Sequence, residues 1–325
     1  MSHPLVSVIV PNYNYAQYLP ERMDSIFRQT FQDYEVILLD DCSTDNSLEV
    51  IESYRNHPKI AYIELNRENS GSTFRQWRKG ISHAKGKYIW IAEADDLAEP
   101  TFLETTVNTL ENNPDATVAF TGSTAIDSEG KPKPYDVDNW KYWPYKMNGG
   151  IRIFDGEKYI IHSLYWNNYI YNASMTLFRK DAYTPSMLDD SITMRNSGDW
   201  LFWIKMVAKG KVIEIYEKLN YFRIHTGSAT SRGNNNGNRL IEDFIVMKYV
   251  ESHFPVGIYR RTICRGQYIK EIKRAPQYVP EEKKKILQIM NDTLGSSNNT
   301  YRIERINRAL VHVIPGLITK KKDRL

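Results

Sequence analysis

The first hundred residues alternate between two kinds of stretch, and that alternation limits the fold more than any other feature of the chain. "LVSVIV" (5 to 10) and "YEVILLDD" (34 to 41) are continuous apolar runs, the pattern of strands buried on both faces. "IAYIEL" (60 to 65) and "YIWIAEADD" (88 to 96) repeat it. Between them lie "LPERMDSIFRQT", with Leu19, Met23, Ile26 and Phe27 at helical spacing behind Pro20, then "STDNSLEVIESYRN" and "TFRQWRKGISHA". A β-α-β-α-β-α-β series with short links predicts an α/β fold whose mostly parallel sheet carries helices on both faces. Ligands in such sheets sit outside the carboxyl ends of the strands. Pro11 to Tyr13, Asp40 to Asp41 and Glu93 to Asp96 all fall there.

Further along, "TFLETTVNTLENN" predicts a helix, and "TVAFTGSTAID" and "SMTLFRKDAY" predict strands. The Trp- and Tyr-rich segment 131 to 172 between those strands reads as an excursion that walls a pocket. "GDWLFWIKMVAKG" (198 to 210) reads as a helix, "KVIEI" and "LNYFRIH" as strands, and "TGSATSRGNNNGN" as a soft loop. Everything from Arg239 is predominantly helical. The expected organisation is a first unit at 1–230, made of two halves at 1–99 and 100–230. A helical extension follows at 239–325.

Composition removes several function classes. With 325 residues and 41% hydrophobic content the chain buries a large core and is not a disordered polymer. The 43 Lys and Arg against 39 Asp and Glu describe a mostly ordinary solvated surface, which argues against dedicated nucleic-acid binding. Cys42 and Cys264 make neither a CxxC pair nor a disulfide framework, which fits a reducing compartment. The apolar run before Pro11 is too short for a signal-peptide core, and no stretch reaches the roughly 18 uncharged apolar residues of a membrane span. The expected location is the cytoplasm, with peripheral attachment to the inner face of the plasma membrane as the only membrane option.

The acidic cluster Glu93, Asp95 and Asp96 has no nearby His-x-x-x-His or Cys pair, so it suits a hard divalent cation, Mg²⁺ or Mn²⁺, shared with substrate phosphates. The plainer reading is that these acids cap the helix that opens near Pro100. A dinucleotide oxidoreductase is disfavoured, because no G-x-G-x-x-G follows the first strand.

"VSVIVPNYNYAQYLPERMDSIFRQTFQDYEVILLDDCSTDNSLEVI" followed by "NSGSTFRQWRKGISHAKGKYIWIAEADDLAEP" resembles the N-terminal half of the inverting family 2 glycosyltransferases, which have the GT-A fold. The resemblance runs from Val6 through Asp199 in the family's order. It implies that Pro11, Tyr13, Asp40, Asp41 and Arg75 hold the nucleotide of a sugar donor, usually a UDP-sugar. It implies that "EADD" stands for the family's DxD signature, with Glu93 and Asp95 toward the ribose and diphosphate, and the metal on Asp95 or Asp96, Asp96 foremost. Glu93 departs from the family's usual Asp. The base that takes the acceptor's proton is implied to be Asp199 in "SGDW", where the family often has Glu-Asp; the alternative for Asp199 is a helix N-cap. His225 in "YFRIH" is implied to join the metal or diphosphate, against a packed strand histidine as the alternative. Trp200 and Trp166 are candidates to stack on acceptor sugar rings, against ordinary core rings.

The resulting expectation is a metal-dependent inverting transfer from a nucleotide diphosphate donor to a hydroxyl of a saccharide or lipid-linked saccharide, in bacterial surface polysaccharide assembly. A nucleotidyltransferase would need a Gly-rich, basic loop after the first strand, which "VPNYNYAQYL" lacks. A catalytically silent sugar-nucleotide-binding or scaffold protein is the alternative from another class. In the final segment 301–325, Ile303, Ile306, Leu310, Val313 and Ile314 form one stripe flanked by Arg302, Arg305 and Arg308, ahead of Lys320 to Lys322. That pattern fits a helix lying on an anionic membrane, or one packed on its own domain or across a homodimer interface.

Overall fold

The computed structural model describes residues 3–138, 150–225 and 237–323. The larger part of "DNWKYWPY" and the soft loop before Arg239 lie outside the described residues, as do the side chains of Lys321 and Lys322.

In chain order the elements begin β1 (Val6–Asn12), α1 (Leu19–Phe27), β2 (Tyr34–Asp40), α2 (Ser47–Ser53), β3 (Ile60–Leu65), α3 (Thr73–His83) and β4 (Tyr88–Ile91). Then come β5 (Leu97–Ala98), α4 (Phe102–Glu111), β6 (Ala116–Ile126), β7 (Ile151–Asp155), α5 (Gly156–Tyr159), β8 (Thr176–Arg179), α6 (Gly198–Val207) and β9 (Lys211–Arg223). The chain continues as helices α7 (Asn238–His253), α8 (Ile258–Arg274), α9 (Pro280–Leu294), α10 (Asn298–Leu310) and α11 (Lys320–Asp323). The sheet runs β3-β2-β1-β4-β8-β6-β9-β5, with β7 on β9. The first four strands pair in parallel, as the alternation predicts, while β8 enters antiparallel between β4 and β6. Every residue of β1, β2 and β4 is buried, which is why these strands read as unbroken apolar runs. The predicted strand at 88 to 96 stops at Ile91, and the two segments "KVIEI" and "LNYFRIH" form one long strand, β9, through Arg223.

One core fills each face of the sheet. Val6, Val8, Val10, Leu38 and Trp90 pack under α1 and α4. Ile9, Ile37, Ile89 and Ile91 join the other core, which also contains Phe202, Trp203, Phe244, Ile269 and Met290, so the late helices share a continuous interior with the sheet. Much of the aromatic excursion belongs to that interior: Tyr159, Tyr165, Trp166, Tyr169 and Ile170 are buried. Lys320 is drawn toward the interior, where burial lowers its pKa. No helix among the described residues is long and apolar enough to cross a membrane.

Candidate active site

The carboxyl ends of β1 and β2 meet as predicted, but their two aspartates are spent on holding loops. Asp40 is fully buried and accepts from Asn12 Nδ2 (2.7 Å), Ser43 N (2.8 Å) and Ser43 Oγ (2.6 Å). It therefore fastens the turn after β2 and presents no free oxygen to a nucleotide, which corrects its assignment to donor binding. Cys42 then takes a left-handed φ of 63°, a conformation that favours glycine. That turn sends the Asp41 carboxylate sideways into the third loop. There it accepts from Asn66 Nδ2 (2.6 Å), Ser70 N (2.9 Å), Ser70 Oγ (2.8 Å) and Gln76 Nε2 (2.8 Å). Around these anchors Pro11 is the second-last residue of β1, Tyr13 stands 46% exposed and Arg75 projects from the first turn of α3 into solvent.

The acidic cluster leaves the sheet at the end of β4, and its three members have three fates. Glu93 accepts from Trp77 Nε1 (2.9 Å), and burial followed by the neighbouring Asp95 charge pushes its pKa up to about 8. Asp96, 1% exposed, accepts from Asn172 Nδ2 (2.7 Å), Ser174 Oγ (2.7 Å) and the Arg223 amide (3.0 Å). Those three bonds occupy both of its oxygens, so Asp96 ties β4 to β8 and β9 and is corrected from principal metal ligand to anchor. Asp95 is the member turned outward. Its Oδ2 lies 3.1 Å from His225 Nε2, and the imidazole packs against the rings of Tyr15 and Tyr18 at 5.7 and 5.3 Å. An outward carboxylate beside an imidazole fits a divalent cation that completes its shell with water and phosphate oxygens, as Mg²⁺ and Mn²⁺ do. No cluster of three or more ligating side chains occurs among the described residues.

Beneath the cluster sits Arg22, a residue that no pattern in the sequence singles out. Its side chain is fully buried with the guanidinium 4.7 Å over the Trp90 ring, and its three nitrogens have no hydrogen-bond partner. Burial lowers its pKa to about 10, and the charges of Asp96, Glu93 and Asp95 oppose that fall. A cation in that position offsets part of the repulsion among three crowded carboxyls.

Asp199 is in the first turn of α6, one residue inside the helix, and the N-cap is Ser197. It is therefore not the helix cap. Its partly exposed carboxyl accepts from Asn168 Nδ2 (3.0 Å) and the Trp200 amide (2.7 Å), and burial raises its pKa to about 7. The glycine before it is a packing requirement: a Cβ at Gly198 would lie 2.5 Å from the Phe74 ring. Behind it Glu242 of α7 accepts the amides of Arg195, Asn196 and Ser197 at 2.9, 2.7 and 2.8 Å, fixing the approach to α6. One short stretch joins this carboxyl to the acidic cluster. Asn168 holds Asp199, while Asn172 and Ser174, a few residues on, hold Asp96. Nothing in their local sequence marks these partners, because their meaning comes from where β8 enters the sheet.

The two tryptophans proposed as sugar platforms are core residues. Trp200 is 3% exposed and donates to the Leu164 carbonyl, and Trp166, also 3% exposed, donates to Asp323. Both rings belong to the same buried core, so neither has a face left for a ligand.

The profile of "Glycosyl transferase family 2" matches residues 7–184. This chain belongs to that family and is a glycosyltransferase. Glycosyltransferase GlyG of Streptococcus pneumoniae serotype 4 is 42% identical over 101 residues, a match spanning 31% of this chain and only 33% of that protein. The uncharacterized glycosyltransferase MJ1057 of Methanocaldococcus jannaschii is 30% identical over 220 residues, covering 67% of this chain and 70% of its own. Among solved structures, S. aureus TarS 1–349 in complex with UDP-GlcNAc superposes with a TM-score of 0.61 at 18% identity, over 94% of this chain and 91% of that one. The fold is therefore the GT-A glycosyltransferase fold with a helical region after the sheet.

Proposed function

We propose that this glycosyltransferase moves a sugar from a UDP-sugar to a hydroxyl of a saccharide acceptor with inversion, in surface polysaccharide assembly, and that Asp199 is the base. The observation that carries the reading is the Asp199 carboxyl itself: partly exposed, joined through 168–174 to the acidic cluster, with its pKa raised to about 7. A base poised near the working pH both exists in its ionised form and has real affinity for a proton. The acceptor hydroxyl attacks the anomeric carbon opposite the leaving diphosphate. The new C–O bond forms as the bond to the diphosphate breaks, and the hydroxyl proton passes to an Asp199 oxygen.

On the donor side Tyr13 and Arg75 are the exposed groups that meet the nucleotide, on loops held rigid by Asp40 and Asp41. Asp95 and His225 would hold a Mg²⁺ or Mn²⁺ ion, which supplies charge neutralisation for the departing diphosphate. Glu93, held by Trp77, faces the same cleft and is suited to a ribose hydroxyl. UDP is favoured because a protein of this fold was solved with UDP-GlcNAc.

The test is Asp199→Asn. Product formation from radiolabelled UDP-sugars should vanish, while calorimetry with UDP and Mn²⁺ gives an unchanged affinity; the same affinity should be lost in Asp95→Ala. Full turnover by Asp199→Asn would overturn the assignment of the base, and metal-independent UDP binding would overturn that of the metal.

A further inference from the structure

Helix α10 is inverted relative to an ordinary surface helix. The face it turns to the protein is polar: Glu304, 2% exposed, lies over Gly266 of α8, and Asn307, 4% exposed, bonds Tyr259 and the Ile318 carbonyl. The face it turns to solvent is aliphatic. Ile303 is 47% exposed, Ile306 61% and Leu310 38%, and the chain beyond continues the surface with Val313 at 78% and Ile314 at 44%. Ile258, 84% exposed, adjoins Tyr259 at the end of α8 that packs on α10. Six aliphatic side chains in one region exceed the scattered exposure that soluble surfaces normally tolerate.

The segment is also held rigidly. Asp323 accepts from Trp166 Nε1 at 2.7 Å and from Arg260 at 2.9 Å, so the chain after α10 is pinned to the buried core.

The charge around this face selects its partner. Residues 239–325 contain 18 Lys and Arg against 9 Asp and Glu, whereas residues 1–238 contain 25 against 30. The positive charge of the chain is thus gathered in the C-terminal region, to which the helices that display the aliphatic surface belong. On α10 itself Arg302 and Arg305 are exposed, and the single acid, Glu304, is turned inward with Arg308 at 3.5 Å. Lys273 and Arg305 flank the Tyr301 ring on the same side, at 4.4 and 5.9 Å. A two-fold dimer through this surface would set these cations against their own copies. An aliphatic stripe rimmed by cations is instead complementary to a bilayer whose headgroups are anionic.

We infer that the face formed by Ile258, Ile303, Ile306, Leu310, Val313 and Ile314 rests in the surface of an anionic membrane, held by Arg302 and Arg305. The inference is independent of the sugar chemistry proposed above. The cations that anchor the protein belong to α8 and α10. Lys320 is not among them, since it points into the domain.

Flotation of the full chain with vesicles of phosphatidylcholine containing phosphatidylglycerol tests this, with pure phosphatidylcholine vesicles as the comparison. The wild type should float with the anionic vesicles, with binding that weakens as NaCl is raised. Ile306→Glu with Val313→Glu should reduce partitioning by at least about tenfold, and each of Arg302→Glu and Arg305→Glu by about fivefold. All four positions are exposed, so melting temperature should be unchanged, and UDP affinity provides a second check on the fold. Failure of the wild type to bind anionic vesicles, or equal binding by the double variant, overturns the inference. So does sedimentation of the wild type as a dimer that Ile306→Glu dissociates, because a second copy would then cover the face.

Discussion

Asp41 and Asp199 each follow a buried or tightly packed element and each approaches the cleft, yet they are bonded in opposite ways. Four hydrogen bonds from Asn66, Ser70 and Gln76 surround the Asp41 carboxylate. Asp199 receives two, and burial raises its pKa to about 7. A carboxylate whose lone pairs are committed stiffens a loop; one that is desolvated and only partly bonded keeps an appetite for a proton. One aspartate after a strand and one in the first turn of a helix thus take different work from the number of donors aimed at them.

The largest expected contrast comes from removing each acid. Asp199→Asn should lower turnover by about a thousandfold. The same change should stabilise the fold at alkaline pH, and the sign is fixed by the raised pKa. Asp199 titrates near 3.8 when unfolded and about 7 when folded, so its contribution is fully present below the lower value and is lost as pH rises through the upper one. Melting of wild type and variant should therefore diverge between pH 5 and 8, with the variant higher at pH 8. An equal melting temperature at both pH values would break the contrast.

Asp41→Ala should do the reverse: the donors of Asn66, Ser70 and Gln76 lose their acceptor, costing about 2 to 3 kcal/mol in denaturant unfolding and weakening UDP binding. A smaller effect sharpens the picture at Asp199. In the wild type kcat/KM should rise with a midpoint near pH 7, following ionisation of the base. Asn168 donates to the ionised form, so Asn168→Ala should move that rising limb to higher pH and cost roughly tenfold at neutral pH. The smallest change belongs to the turn that aims Asp41: Cys42→Gly should gain up to about 1 kcal/mol of stability by relieving the left-handed φ. A loss on that substitution would show that the thiol's packing outweighs the strain.

The sequence located β1 to β4 because buried parallel strands are written as unbroken apolar runs, although the run at 88 to 96 leaves the sheet after Ile91. Asp199 was singled out through the family resemblance rather than through its own pattern, which reads equally as a polar residue at the start of an apolar helix. What could not be read was which of two adjacent acids faces outward. Asp95 and Asp96 differ only through Asn172, Ser174 and Arg223, which β8 and β9 bring across the sheet from far along the chain. Trp200 misled because α6 is buried at all but Asp199 and Lys205, so periodicity could not separate a ring at the cleft from a ring in the core, and Trp166 lies in an irregular stretch with no periodicity to read. In the last helix the stripe was legible, but the face turned to the protein was not, since Glu304 and Asn307 look like surface residues until α8 is packed on them.

The grip of Glu242 on the three amides before α6 has a consequence for how the enzyme comes into being. During synthesis the nucleotide-side loops have all of their anchoring partners once β9 has left the ribosome. Asp199 does not: the segment that leads into it is held by a carboxylate that lies beyond the sheet, in α7. A nascent chain halted before that helix would have the anchors of its first loops but not the one that fixes the approach to α6.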